Sequence, residues 1–244
     1  MANNFFQFKQ FTIQQQFCAM KVSTDACIFG AVVTEMFAAK VLPDEDKKIH
    51  YLDIGTGTGL LSLMLAQKTT AFIDAVEIDS AAYDEASENF NSSPFKGRLS
   101  IYNTDILNYP AAKKYDGIIC NPPFFEGDLR SPDKKKNAAK HDTTLTLQQL
   151  LKVAGNHLKD AGLLAVLLPY QRVDEFIKDA VDLQFCLKEK LLLRHTFVHP
   201  YFRAILFLSK IETTSAIKEL VIKNETGNYT DEFMCLLKDY YLYL

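Results

Sequence analysis

From His50 onward the chain alternates short apolar runs with stretches of helical spacing. Ile49–Ile54, Ala71–Ile78, Arg98–Tyr102, Tyr115–Cys120 and Gly162–Pro169 read as strands. Nearly continuous apolar content in such runs means burial on both faces, as in a parallel sheet. Between them Leu60–Lys68, Ala81–Asn91 and Leu145–Leu158 carry helical spacing. A βαβ series of this kind predicts a doubly wound α/β sheet with helices on both faces. After Pro169 come a short helix, Val173–Ala180, an apolar segment, Lys190–Phe197, and a returning strand, Arg203–Lys210. These lengths fit a sheet that ends in a hairpin with an antiparallel last strand.

Ahead of the first core strand lies a separate piece, and the pattern divides the chain into an N-terminal extension, 1–45, and a main domain, 46–244. Phe5–Ile13 pairs as short strands, and Thr24-Asp25 opens a helix that reaches Lys40. Thr24 is the expected N-cap, with Asp25 favourable in the first turn. Leu42-Pro43-Asp44-Glu45-Asp46-Lys47-Lys48 reads as a polar linker. At the other end Thr230–Tyr240 is expected to be helical, because Phe233, Leu236 and Leu237 share one face. Phe125–Thr143 has no periodicity, and structureless segments of that length inside a compact domain are usually functional or disordered.

Composition narrows the class without changing this picture. Hydrophobic residues make up 48% and charged residues 23% of 244, which fits a globular protein with a substantial core rather than a disordered chain. A net charge of −3 offers no global attraction to nucleic acid, so any such contact must come from a local patch. The five cysteines are scattered without a C-x-x-C pair, against a disulfide framework or a zinc ribbon. No run approaches the ~18 apolar residues of a membrane span, and the start of the chain does not read as a secretory signal, so the cytoplasm is the expected location.

The first candidate site follows the first core strand. In Asp53-x-Gly55-x-Gly57-x-Gly59 the glycines recur at every second position, one residue short of the G-x-G-x-x-G dinucleotide fingerprint. Glycines there let the backbone approach a ligand without a Cβ, and the helix from Leu60 aims its amino end at it. S-adenosylmethionine has a carboxylate suited to that end and no pyrophosphate. Glu77, at the end of the next strand, is placed to accept from two ribose hydroxyls, an arrangement nicotinamide proteins also use. Asp105 is placed to accept from an adenine amino group while Ile106 packs on the ring; equally, Asp105 is placed to cap the turn that follows. Asp53 is either a ligand contact or a buried group that shapes the glycine turn, and the two roles are compatible.

The second candidate site is Asn121-Pro122-Pro123-Phe124, straight after the apolar run Tyr115–Cys120. Two prolines fix φ near −65° twice and remove two backbone donors, leaving carbonyls free to accept. The exocyclic amine of a nucleobase is a poor nucleophile because its lone pair is delocalised into the ring. It needs polarisation more than deprotonation. The Asn121 side-chain carbonyl and the Pro122 backbone carbonyl, both accepting from that amine, would draw the lone pair toward an incoming methyl group, and Phe124 offers a face on which a flipped base stacks. His141, His195 and His199 have no carboxylate or cysteine companions at ligand spacing, so no metal is expected.

These residues resemble the class I S-adenosylmethionine-dependent methyltransferases of the Asn-Pro-Pro-aromatic type. A closer resemblance runs almost end to end, through Phe8-Lys-Gln-Phe11, Ala19-Met-Lys-Val22-Ser-Thr-Asp25, Asp53–Gly59, Glu77, Asn121–Phe125, Lys140-His141-Asp142 and the tail from Tyr229 to Leu242. It is similar to the tRNA adenine-N6-methyltransferase family that acts on position 37, beside the anticodon of valine tRNA. The resemblance implies a Rossmann-like, mostly parallel seven-stranded sheet with an antiparallel last strand, S-adenosylmethionine as cofactor and tRNA as partner. By the family pattern Asp53, Gly55, Gly57, Glu77 and Asp105 hold the cofactor, to which the reading of the residues adds Gly59 and Ile106. Lys21 and Thr24 lie near its methionine end, and Asn121, Pro122, Pro123 and Phe124 hold the base. Arg130, Lys134, Lys135, Lys136, Lys140 and His141 are the expected contacts to RNA phosphates. Phe124 stands where adenine-N6 enzymes often have tyrosine, which keeps open a guanine-N2 methyltransferase of ribosomal RNA or a glutamine methyltransferase of a protein. A noncatalytic binding module and a nicotinamide oxidoreductase are the readings from other classes, the first opposed by the intact Asn121–Phe124, the second by the glycine spacing.

Overall fold

A computed structural model describes residues 3–39, 48–110, 112–122, 145–212 and 214–244. Most of the expected linker from Leu42, and all of Phe125–Thr143, lie outside the described residues. A short antiparallel pair, β1 (Phe5–Gln7) and β2 (Thr12–Gln14), precedes α1 (Thr24–Ala38). The main sheet then builds from β3 (His50–Ile54), β4 (Phe72–Glu77), β5 (Leu99–Asn103), β6 (Tyr115–Cys120), β7 (Leu158–Pro169), β8 (Cys186–Arg194), β9 (Arg203–Ser209) and β10 (Ala216–Val221). Its order is β10-β8-β9-β7-β6-β3-β4-β5. β9 runs antiparallel to both its neighbours, and every other pairing is parallel.

Alternation along these strands separates two apolar layers. On one face Tyr51, Ile73, Ile119, Ala165, Leu167 and Phe207 pack with α1, with α2 (Leu60–Lys68), with Phe90 of α3 (Ser80–Asn91) and with Phe233 and Leu237. On the other, Leu52, Ile54, Ile118, Val166, Leu168 and Leu206 pack with α4 (Leu147–His157) and α5 (Val173–Asp182). The N-terminal piece is part of the first layer, since Phe8, Phe11, Ile13 and the buried side of α1 belong to it. Close approach makes this possible at Gly117 of β6, where a Cβ would stand 2.4 Å from the Phe37 ring of α1. α6 (Asp231–Leu237) is capped by the Thr230 hydroxyl and turns Phe233 and Leu237 inward, with Leu236 only partly covered.

Four expectations are corrected. The sheet has eight strands instead of seven; the extra one, β10, is an edge strand whose first four residues are exposed, so it carries no core-like apolar run. β7 begins at Leu158, directly where α4 ends, and the pairing with β6 shifts register between Tyr115 and Gly117 to absorb the early start. The apolar run at 190–197 belongs to a strand that starts at Cys186 and stops at Arg194. The residue before α1 is Ser23, not Thr24, and its hydroxyl donates to the Asp25 carboxylate at 2.5 Å.

Candidate active site

The parallel strands β3, β4 and β6 end on one edge of the sheet, where a cavity of about 630 Å³ opens, well within the size of small-molecule sites. Gly55, Gly57, Glu77, Asp105, Ile106, Asn121 and Pro122 line it. The sequence therefore places seven of its candidates around one space. The glycine turn is pinned under β4: the Gly55 and Thr56 amides donate to the Val76 carbonyl at 2.9 and 3.2 Å, and the Gly57 amide donates to the Glu77 carboxylate at 2.9 Å. Gly55, Gly57 and Gly59 have φ of 67°, 56° and 82°, values that L side chains rarely adopt. A Cβ at Gly55 would meet nothing within 4 Å, so that stretch of backbone is open to a ligand; one at Gly59 would stand 2.5 Å from the Phe90 ring.

Asp53 and Gly59 sit behind this lining. The Asp53 side chain is fully buried; one carboxylate oxygen accepts from the Thr56 and Ser62 hydroxyls, both at 2.7 Å, and the other has no partner among the described residues. Burial pushes its pKa up to about 6, against the lowering effect of those two hydroxyls and with a smaller push from the Glu77 charge. Glu77 accepts through its second oxygen from the Asp79 amide at 3.0 Å. Asp105 does cap the turn after it, accepting from the Leu107 amide at 2.9 Å, and lines the cavity as well, so both of its expected roles are available. The Asn121 side-chain carbonyl is buried at the cavity wall with no partner among the described residues. Lys21 and Thr24 are exposed and outside the lining; the Lys21 ammonium donates to the Asn3 carbonyl at 3.4 Å. Pro123, Phe124, Arg130, Lys134, Lys135, Lys136, Lys140 and His141 lie outside the described residues.

One wall of the cavity was not foreseen. Phe17, Cys18, Ala19 and Met20 close it from the N-terminal side. They are held by Glu85 of α3, whose buried carboxylate accepts from the backbone amides of Gln16, Phe17 and Cys18, the last two at 3.0 and 2.8 Å. One helical turn on, Asn89 accepts from the Gln14 amide at 2.8 Å and donates to the carbonyls of Gln14 and Thr58 at 3.0 and 2.9 Å. The same helix thus fastens both the N-terminal segment and the glycine turn. The available signal was a polar i, i+4 pair on the stripe of α3 that also carries Ala82, Ala86 and Phe90. From the opposite side Thr146 and Gln149, which form the capping box of α4, also reach the cavity.

The donor and acceptor set suits S-adenosylmethionine. Glycine backbone open to the cavity and an unpartnered buried carboxylate oxygen suit its amino-acid end, Glu77 suits its ribose, and Asp105 with Ile106 suits its adenine. A second cavity of about 600 Å³ lies at the far edge of the sheet between α4, the Leu183–Phe185 turn and Lys210, and has no carboxylate in its lining. Among the described residues no group of three or more His, Cys, Asp or Glu side chains is arranged to hold a metal ion, and no helix is long and apolar enough to cross a membrane.

Comparison with known proteins agrees with this geometry. Residues 20–181 match the methyltransferase small domain family. Over 98% of both chains the sequence is 40% identical to the tRNA1(Val) (adenine(37)-N6)-methyltransferase of Dyadobacter fermentans. The proteins of that name in Trichodesmium erythraeum and Parabacteroides distasonis are 39% and 36% identical over 99% of each chain. Among solved structures, a predicted O-methyltransferase of Agrobacterium tumefaciens superposes with a TM-score of 0.65 at 15% identity, covering 88% of this chain and 96% of its own. An S-adenosylmethionine-dependent methyltransferase of Clostridium acetobutylicum does so with a TM-score of 0.54 at 16% identity, covering 78% and 92%. At these identities the likeness is one of fold.

Two outcomes follow for the ligand-free and cofactor-bound protein. Glu85→Ala leaves the amides of residues 16–18 without their acceptor; it is expected to cost about 3 kcal/mol in urea unfolding and to weaken S-adenosylmethionine binding at least ten-fold by calorimetry, with Glu85→Gln in between. Unchanged affinity in a folded Glu85→Ala protein would detach the clasp from the site. For Asp53 the folded carboxyl keeps its proton to about pH 6, while an unfolded one releases it near ~3.9. The group therefore opposes folding increasingly as pH rises from about 4 to 6. Asp53→Asn is expected to raise the thermal midpoint above wild type near pH 7, and to lose that advantage near pH 4; a pH-independent difference would count against a titrating Asp53.

Proposed function

This chain belongs to the methyltransferase small domain family, in its tRNA1(Val) (adenine(37)-N6)-methyltransferase branch, and from that premise we propose how its residues methylate the N6 amine of adenine 37 in valine tRNA. The cofactor is S-adenosylmethionine, which when bound supplies a methyl group on a positively charged sulfur that is already a good leaving group. Gly55, Gly57 and Gly59, with Asp53 beneath them, receive its amino-acid end; Lys21 and Thr24, beyond the Met20 wall, act near the same end. Glu77 takes the ribose hydroxyls, and Asp105 and Ile106 the adenine. The enzyme works in the cytoplasm.

The observation that carries the mechanism is the buried carbonyl of Asn121 at the cavity wall, without a partner among the described residues. An acceptor withdrawn from water and left unpaired costs about 1–3 kcal/mol. A substrate amine that donates to it recovers that cost when the base is in place. With the Pro122 carbonyl as second acceptor, both amine hydrogens are held and the nitrogen lone pair is turned out of the ring plane toward the methyl donor. Pro123 keeps the backbone donor-free at the next position, and Phe124 supplies the stacking surface for the flipped base. Arg130, Lys134, Lys135, Lys136, Lys140 and His141 contact the RNA phosphates, the local patch that a chain of net charge −3 requires.

Asn121→Ala is expected to lower kcat for methyl transfer about a hundred-fold or more with S-adenosylmethionine affinity within two-fold of wild type. Nucleoside mass spectrometry of unmodified tRNA incubated with the enzyme should show N6-methyladenosine. Label in N2-methylguanosine or in protein would transfer the same machinery to another acceptor. Replacing Lys134, Lys135 and Lys136 together by Ala is expected to weaken tRNA binding and flatten its dependence on salt by up to about 2–3 in the log–log slope. An unaltered slope would remove them from the phosphate contacts.

A further inference from the structure

On the reading that the substrate is an RNA loop, we propose that the β8–β9 loop, residues 195–202, together with Tyr170 forms an aromatic shelf. On it the single-stranded nucleotides next to the target base stack. β6, β7 and β8 run in the same direction, so Asn121, Tyr170 and this loop all emerge on the edge that carries the cavity. Tyr170 follows the strand next to β6, and the loop begins three strands away, which at the ~4.8 Å spacing of strands is about 5–14 Å across the edge. Cys120 is level with Val166, so β7 and β8 run on past the end of β6 and add ~10–13 Å along the strands; at ~3.4 Å per nucleotide of stacked strand the shelf lies within roughly six nucleotides of a base held at Asn121.

The surface is aromatic, exposed and pre-formed. Phe197 and Tyr170 are 51% and 41% exposed. The Tyr170 and Tyr201 rings are 5.5 Å apart, and the Arg194 guanidinium lies over both Phe197 and Tyr201, at 5.1 and 5.5 Å from their centroids. His195 stacks on Phe202 at 4.2 Å with the rings 8° from parallel. Backbone bonds tie the loop to the strand ends, with the Phe202 amide donating to Leu193 at 3.0 Å and the Tyr170 amide to Phe202 at 3.1 Å. Rings interleaved with a guanidinium are the chemistry of base stacking, whose sequence tolerance suits the nucleotides that flank a target. Arg194 is paired with Glu219 at 3.0 Å, so its charge is spent on holding the shelf. The contact is therefore one of stacking rather than of phosphate binding, and that distinction is measurable.

The test uses the full-length enzyme and an unmodified valine-tRNA anticodon stem-loop, followed by fluorescence anisotropy at several salt concentrations. Phe197→Ala and Tyr170→Ala are each expected to raise Kd about five-fold or more, the equivalent of ~1 kcal/mol per stacked base, with an unaltered salt slope and unaltered S-adenosylmethionine affinity by calorimetry. Kd within two-fold of wild type for both variants, while wild type binds and methylates the RNA, would overturn the shelf alone. A salt slope lowered by one or more would overturn stacking in favour of phosphate contact. Dissociation of a wild-type dimer by Phe197→Ala in sedimentation would overturn it in favour of a second copy of this chain. A wild-type enzyme that neither binds nor methylates any tRNA would overturn both this proposal and the function it rests on.

Discussion

Glu85 is a carboxylate almost removed from water, and its burial is tolerable because three consecutive backbone amides, of residues 16–18, point into it. A buried ion without partners costs several kcal/mol, and each charge-assisted hydrogen bond returns about 1.5–3. The N-terminal segment therefore cannot leave α3 without exposing or orphaning that charge. Asn89 extends the same constraint to Thr58 in the glycine turn. Strand β2, the wall Phe17–Met20, helix α3 and the turn after β3 form one mechanical unit. The cavity exists in its present shape because these four pieces are locked together.

Above that unit the site is assembled from strand ends. Asp53 lies on β3 and Asn121 directly follows the neighbouring parallel strand β6, and each leaves one buried oxygen without a partner among the described residues. Both oxygens are acceptors. Two such acceptors near the same edge of the sheet suit ligands that bring donors, and the proposed function puts an ammonium at Asp53 and an amine at Asn121. Glu77 is different. Its two oxygens already accept from the Gly57 and Asp79 amides, so it organises the turn, and only its remaining lone pairs are open to the ribose that the proposed function gives it.

How much of this is legible in the sequence depends on how local each feature is. The glycine turn, Glu77, Asp105 and Asn121-Pro122 are contiguous or sit at strand ends, and parallel topology brings strand ends together without further information; all of them reach one cavity. The clasp joins residues almost seventy apart, and its only trace in the chain is a pair of polar residues on an otherwise apolar stripe. β10 escaped because an exposed edge strand lacks the apolar run that marks its neighbours. The early start of β7 escaped because a helix end and a strand start share Leu158 without any glycine or proline between them.

On the proposed reading the acceptors at Asn121 and Pro122 take an amine attached to a planar ring, and such a pair is as well matched to guanine N2 as to adenine N6. Selecting a base by hydrogen bonding alone would require donors or acceptors aimed at the rest of its edge. Among the described lining residues, the chain neighbours of Asn121 are Cys120 and Pro122, and those at the start of α4 are Leu145, Thr146 and Gln149. Of these only Thr146 and Gln149 carry strong polar side-chain groups, and they already bond each other's backbone in the capping box. Among the described residues, then, the groups proposed for the chemistry are not ones that would identify the base. On that reading the strand-end acceptors would activate any presented amine, and the choice of RNA would fall to surfaces that hold the nucleotides around it, where stacking and phosphate contacts discriminate.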